Sequence, residues 1–278
     1  MNETMKSELE ARTHEARNDR RSTHEFITHA LTESDENAAW DAVVMLHFRG
    51  TKEVFDAACQ LCASHCMQER TLGANILGQL GIPDRSFPEE SVKVLLELLE
   101  VEIDEEVLQA ACVALGHIYN PAAVPGLARL KNHPSSDVRY GVVFGLLGFE
   151  ENLAIETLTE LSRDKDNLVR DWATFGLGTQ IETDTPQVRE ALFMRLFDAD
   201  EETRGEAFIG LARRRDERIV EPLINELALY PGACGRFSVE AAEEIADPRL
   251  LPILKRLKQS VDFDESTFDE AIRRCSNT

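Results

Sequence analysis

SSDVRYGVVFGLLG (135–148) returns as KDNLVRDWATFGLG (165–178) and again as ADEETRGEAFIGLA (199–212). Each copy carries acid in its opening residues. A β-branched residue and Arg follow (Val138-Arg139, Val169-Arg170, Thr203-Arg204), then apolar residues at helical spacing such as Val138, Val142, Val143 and Leu146. Acid at a helix N-terminus caps free N–H groups and complements the macrodipole, and the spacing is that of one buried helix face. Working outward, a Leu holds the same place along the chain at 46, 77, 115, 146, 177 and 211, with Ile245 continuing the series. A period in the thirties marks a helical solenoid.

Each copy is preceded by a second amphipathic segment: PAAVPGLARLKN (121–132), NLAIETLTELSR (152–163), PQVREALFMRLF (186–197) and ERIVEPLINELA (217–228). Pro121 and Pro186 sit where a helix would start, the position at which Pro is tolerated. Weaker units precede these at 24–50, 51–81 and 91–118, and PRLLPILKRLKQSVDFDESTFDEAIRRC (248–275) reads as a polar-faced cap. The pattern predicts an all-α, right-handed α-solenoid of about eight helix pairs. It would form one domain over 23–278 after a polar N-terminal arm at 1–22, read as a frayed arm or a short exposed helix.

The chain has 278 residues, 43% hydrophobic and 29% charged, with a formal net charge of −21. The apolar content is that of an ordered protein. The acidity disfavours nucleic acid, which is bound through Lys and Arg, and favours basic partners; it also serves simple solubility. No apolar leader and no run of 18 apolar residues occurs, so neither secretion nor a membrane span is expected. Six Cys in such a chain predict reduced thiols in a cytoplasmic protein. Cys112, Cys234 and Cys275 read as single thiols.

These runs resemble HEAT repeats of the type shared with phycobilin lyases. The carriers are the V-R opening with its G/A-L-G/A close and IADPR (245–249) as a repeat-closing turn, and the likeness spans roughly 23–275. ILGQLG (76–81), LVRDWATFGL (168–177), ETRGEAFIGLARRRDER (202–218) and EAAEEIADPRLLPIL (240–254) are, in that order, similar to bacterial HEAT-repeat proteins encoded beside Rhs-type polymorphic toxins. That resemblance implies a cytoplasmic immunity protein, monomeric when free, that occludes a basic toxin domain without catalysis or cofactor. A general protein scaffold is the alternative reading. A lyase-type or DNA-repair enzyme comes behind both, since the charge opposes DNA and nothing picks out a tetrapyrrole pocket.

In a HEAT array the second helices line the concave face, so their positions off the core are the binding candidates. They include Trp40, Asp41 and His47 in the first unit, Asn75 in the second and Gln109 in the third. Tyr140 and Phe144 follow, then Asp171, Trp172 and Phe175, then Glu206 and Ile209. Tyr140, Phe144, Trp172 and Phe175 stand at matched offsets in successive helices. They would anchor a partner as one aromatic patch or fill gaps between helices.

Three further patterns have two readings each. Arg139, Arg170 and Arg204 are either a basic ladder or partners for the acid of a neighbouring turn. Arg213, Arg214, Arg215 and Arg218 are a solvated edge or a phosphate site. The acidic stretch Asp84–Glu106, with only Arg85 and Lys93 against it, is a solvated face or a seat for a basic partner.

Cys59, Cys62, His65 and Cys66 have ligand-type spacing, but a second ligand pair is missing, and no metal is expected. HEFITH (24–29) spaces its His five apart, off a single helix face. Gly141, Gly145 and Gly148 are expected within a helix, where they allow close packing.

Overall fold

The computed structural model describes residues 3–229, 235–260 and 266–277, all of them helix or connecting turn and none in strand. Cys234 lies outside the described residues. The chain falls into two compact parts, Met1–Gly145 and Leu146–Thr278.

In the first part a lone helix, α1 (Glu3–Asn18), precedes four pairs. These are α2 (Thr23–Thr32) with α3 (Glu36–Arg49), and α4 (Lys52–Cys62) with α5 (Met67–Gln79). Then come α6 (Pro88–Val101) with α7 (Glu105–Ile118), and α8 (Val124–Ala128) with α9 (Ser136–Leu146). The second part holds α10 (Asn152–Leu161) with α11 (Asn167–Phe175), and α12 (Pro186–Arg195) with α13 (Glu201–Arg213). It ends with α14 (Val220–Leu227) beside α15 (Arg236–Ile245), and α16 (Leu251–Ser260) beside α17 (Ser266–Ser276). Eight pairs result. Within each part first helices stack on first helices and second on second, so the described residues of each part form two layers.

The recurring Leu marks the core. Leu46, Leu115, Leu146, Leu177 and Leu211 are fully buried and Leu77 nearly so, each contributing about 2 kcal/mol by removal of its side chain from water. Caps set the ends as the sequence asks. Asp35, Asp104, Asp166 and Asp200 each accept backbone N–H bonds from the first turn of the helix they open, and Pro186 is the first residue of α12. Pro121 begins a 3₁₀ turn that runs into α8.

Small residues let second helices approach. A Cβ on Gly210 would stand 2.5 Å from the Gly178 Cα, and one on Gly78 would stand 2.8 Å from the Ala114 Cα. Gly141 and Gly145 likewise press on α7. Gly148 differs from expectation: α9 ends at Leu146, and Gly148 takes φ 79 beyond it, which stops the helix.

The helix α1 packs on α3, with Ala16 buried. Arg49 fixes its C-terminal end. Its guanidinium donates to the carbonyls of Ala16 (3.1 Å), Asp19 (3.2 Å) and Arg21 (2.9 Å) and lies over the Phe26 ring.

Candidate functional site

The arginine in the opening turns of α5, α9, α11 and α13 is a structural clamp. Arg170 donates through Nε and Nη2 to Asp198 (3.1 and 3.0 Å) and through Nη1 to the Asp164 and Lys165 carbonyls. Arg204 pairs with Glu226 at 3.2 Å and reaches the Asp198 and Ala199 carbonyls. Arg139 is buried and donates to the His133 and Pro134 carbonyls. Arg70, which the sequence reading passed over, repeats the pattern with Glu102 and the Ser64 and His65 carbonyls. A planar fork that takes a carboxylate and a turn's free carbonyls together is the geometry guanidinium suits best. The ladder therefore holds each turn and is not a ligand site.

The later arginine run divides. Arg213 and Arg215 are exposed. Arg214 turns inward, its side chain 6% exposed, and donates to the carbonyls of Leu177, Gly178, Gly210, Ile181 and Thr183 at 2.9–3.1 Å. The cause is local: α11 runs into a π turn, Gly176–Gln180, whose carbonyls need donors. Arg218 chelates Asp216, reaches Glu190 at 3.0 Å and covers the Phe193 ring. The acidic stretch is also partly consumed: Glu102 pairs with Arg70, Glu89 accepts from Asn120, and Glu97 and Glu100 lie near Lys93 and Arg129.

On the second-helix layer of the first part, Trp40 is 45% exposed and meets His47 edge to face at 6.1 Å. Asp41 is exposed, and Asn75 and Gln109 are half-buried. Tyr140 and Phe144 are half-buried; Phe144 packs edge-on to His117 at 5.2 Å. His47 was expected off the core but is 1% exposed, because its Nε2 bonds the Asn75 carbonyl at 2.9 Å. Burial lowers its pKa to about 4, so the ring is neutral near pH 7.

On the same layer of the second part, Trp172 and Phe175 are half-buried and T-shaped at 5.7 Å. Asp171 beside them has a buried Oδ1 with no hydrogen-bond partner. Burial raises Asp171 to about 6, with Asp200 and Glu202 adding to it. Burial likewise raises Glu206 to about 7, helped by Asp171, Glu240 and Glu202, with Arg213 opposing. These are carboxylates held in poor solvation beside aromatic rings, a setting that rewards an incoming cation. Ile209, expected in this group, is 4% exposed. The helix α13 has α11 and α15 on its flanks and α12 behind, so residues 207–212 are all buried and only a narrow stripe with Glu206 stays open.

The metal motif is dispersed. Cys62 is buried, Cys59 half-buried, and His65 and Cys66 exposed. Burial pushes the Cys62 thiol up to about 12, away from the ligating thiolate. Among the described residues no group of three or more His, Cys, Asp or Glu is placed to hold a metal ion, and no helix is long and apolar enough to cross a membrane.

A family model of HEAT repeats matches residues 70–146 and again 92–178. Protein YibA of Escherichia coli, from strains K12 and O157:H7, is 28% identical over 231 residues, covering 80% of this chain and 80% of that protein. The X-ray structure of E. coli YibA is similar with a TM-score of 0.76 at 24% identity, over 96% of each chain. An engineered protein of known structure follows at 0.55 and 19%, over 90% of this chain and 77% of its own. Residues 70–178 are therefore HEAT repeats, set in an all-α repeat fold that the chain shares along nearly its whole length with YibA.

Proposed function

We propose that this chain is a non-catalytic protein-binding array whose second-helix layer receives a basic polypeptide. The observation that supports this most is the grouping of half-buried Trp172 and Phe175 with Asp171 and Glu206. These are two aromatic anchors beside carboxylates whose charge is poorly solvated. A lysine or arginine brought there gains both a ring face and an ion pair, and the net charge of −21 steers such a partner inward. Trp40 offers a further exposed ring in the first part.

The finer reading is an immunity protein that neutralises a toxin domain by covering its active surface, as the resemblance to proteins encoded beside Rhs-type toxins implies. Co-expression with a toxin domain encoded beside this gene tests it. Growth rescue together with a co-purifying stoichiometric complex is the expected result. A complex without rescue would favour a general scaffold; neither would remove the toxin as partner.

A further inference from the structure

The loop between α5 and α6 carries a second kind of feature. It is wound tightly. The Gly81 N–H donates to the His47 carbonyl at 2.7 Å, the Arg85 N–H to the Gly81 carbonyl at 2.8 Å, and the Ser86 N–H to the Leu80 carbonyl at 2.8 Å. A Cβ on Gly81 would stand 2.1 Å from the Ser86 Oγ, so only glycine closes the turn. Arg85 and Phe87 are held at φ 62 and 54, a left-handed backbone that side chains rarely adopt.

The loop thereby lays a half-buried Arg85 guanidinium against the end of α7, where Nη2 donates to the His117 carbonyl at 3.0 Å. Among the described residues that is the side chain's one hydrogen bond. Nη1 is buried with no partner, and Arg85 makes no ion pair among the described residues. Arg49 and Arg214, which fill comparable places at helix ends, make three and five carbonyl bonds, although the Arg214 Nε is likewise buried without a hydrogen-bond partner. In a chain with 51 acidic residues, a desolvated arginine facing none of them stands out. Holding the α7 terminus accounts for one of its five N–H groups.

Among the described residues no carboxylate is paired with it. His47 of α3 and His117 of α7 are the titratable neighbours, and Phe144 of α9 covers the His117 ring. Burial and the Arg85 charge both lower the His117 pKa, and burial alone lowers that of Arg85.

We propose that Arg85, with His117 beside it, seats a carboxylate presented by the polypeptide that this array binds. The inference rests on the reading of the array as a protein-binding surface. One uncompensated charge beside neutral imidazoles matches a monoanion, and the guanidinium edge matches its two oxygens.

The test needs no partner. The His117 ring of the intact protein is titrated by NMR in chloride, in acetate and in inorganic phosphate at equal ionic strength. Burial would still lower His117, but acetate on Arg85 cancels the charge that adds to it, so the His117 pKa should rise saturably, by about half a pH unit. In Arg85→Gln the value should already be raised in chloride and indifferent to acetate. Arg85→Lys, which keeps the charge but not the fork, should keep the low value in chloride and lose most of the acetate response. An acetate-insensitive His117, a response larger to phosphate than to acetate, or a full response in Arg85→Lys would overturn the proposal. A failed toxin rescue would leave this titration unaffected, so the two readings fail separately.

Discussion

Replacing Glu206 by Gln should make the protein more stable at pH 8. The carboxyl titrates near 4.5 when solvated and near 7 in the folded chain, chiefly because burial penalises its charge. A folded-state value above the unfolded one means that the native state binds more protons between those limits. Stability therefore falls as pH rises from about 4.5 to about 7 and stays low above that. Each pH unit of difference is worth about 1.36 kcal/mol. The site remains partly open to water, so roughly half of the full value, about 1–2 kcal/mol, is the expected burden at pH 8.

Glu206→Gln removes that burden with almost no change in shape. Urea unfolding followed by circular dichroism should show the variant ahead of the parent by about 1–2 kcal/mol at pH 8 and by about a quarter of that at pH 5. The same variant should bind a basic partner more weakly, since a carboxylate kept at a cost to stability is typical of a functional site. A variant less stable than the parent at pH 8, or an advantage equal at both pH values, would refute the reasoning.

Three other outcomes are expected. Trp172→Ala with Phe175→Ala should leave the far-ultraviolet dichroism intact and weaken partner binding more than tenfold, about 1.4 kcal/mol or more by titration calorimetry. Arg170→Ala takes the two-bond fork from Asp198, whose side chain is 7% exposed and keeps a single bond from Arg195; it should lower stability by about 1–3 kcal/mol in urea melts, with Arg170→Lys recovering only part. Gly210→Val would place its Cβ 2.5 Å from the Gly178 Cα and should cost about 1–3 kcal/mol or more in thermal unfolding, by forcing the π turn after α11 away from α13.

The repeat was legible because successive units reuse the same features in the same order: an acid cap, as at Asp35, Asp104, Asp166 and Asp200, a buried Leu, and small residues where helices touch. The six Leu positions read from the chain are all core positions. The candidate site was legible only in part. Second-helix numbering put Trp172, Phe175, Asp171 and Glu206 off the core, where they are half-buried, but it also put His47 and Ile209 outside the core. Periodicity reports which face of a helix is apolar, and it does not report how many neighbours flank that helix. The middle of α13 is enclosed on three sides, and the His47 imidazole found a carbonyl across the gap to α5.

Sequence alone determined the all-helical class, the eight pairs, their caps and their core, since these follow from local propensity and from spacing within 20 to 40 residues. Tertiary structure decided what each charge is for. Five arginines that look alike in the chain became two turn clamps at Arg70 and Arg170, two carbonyl anchors at Arg49 and Arg214, and one under-partnered cation at Arg85. A guanidinium's role depends on which carboxylates and free carbonyls lie within about 3 Å of it. Those partners sit roughly thirty residues away in the chain, and only the packing of one repeat on the next brings them within reach.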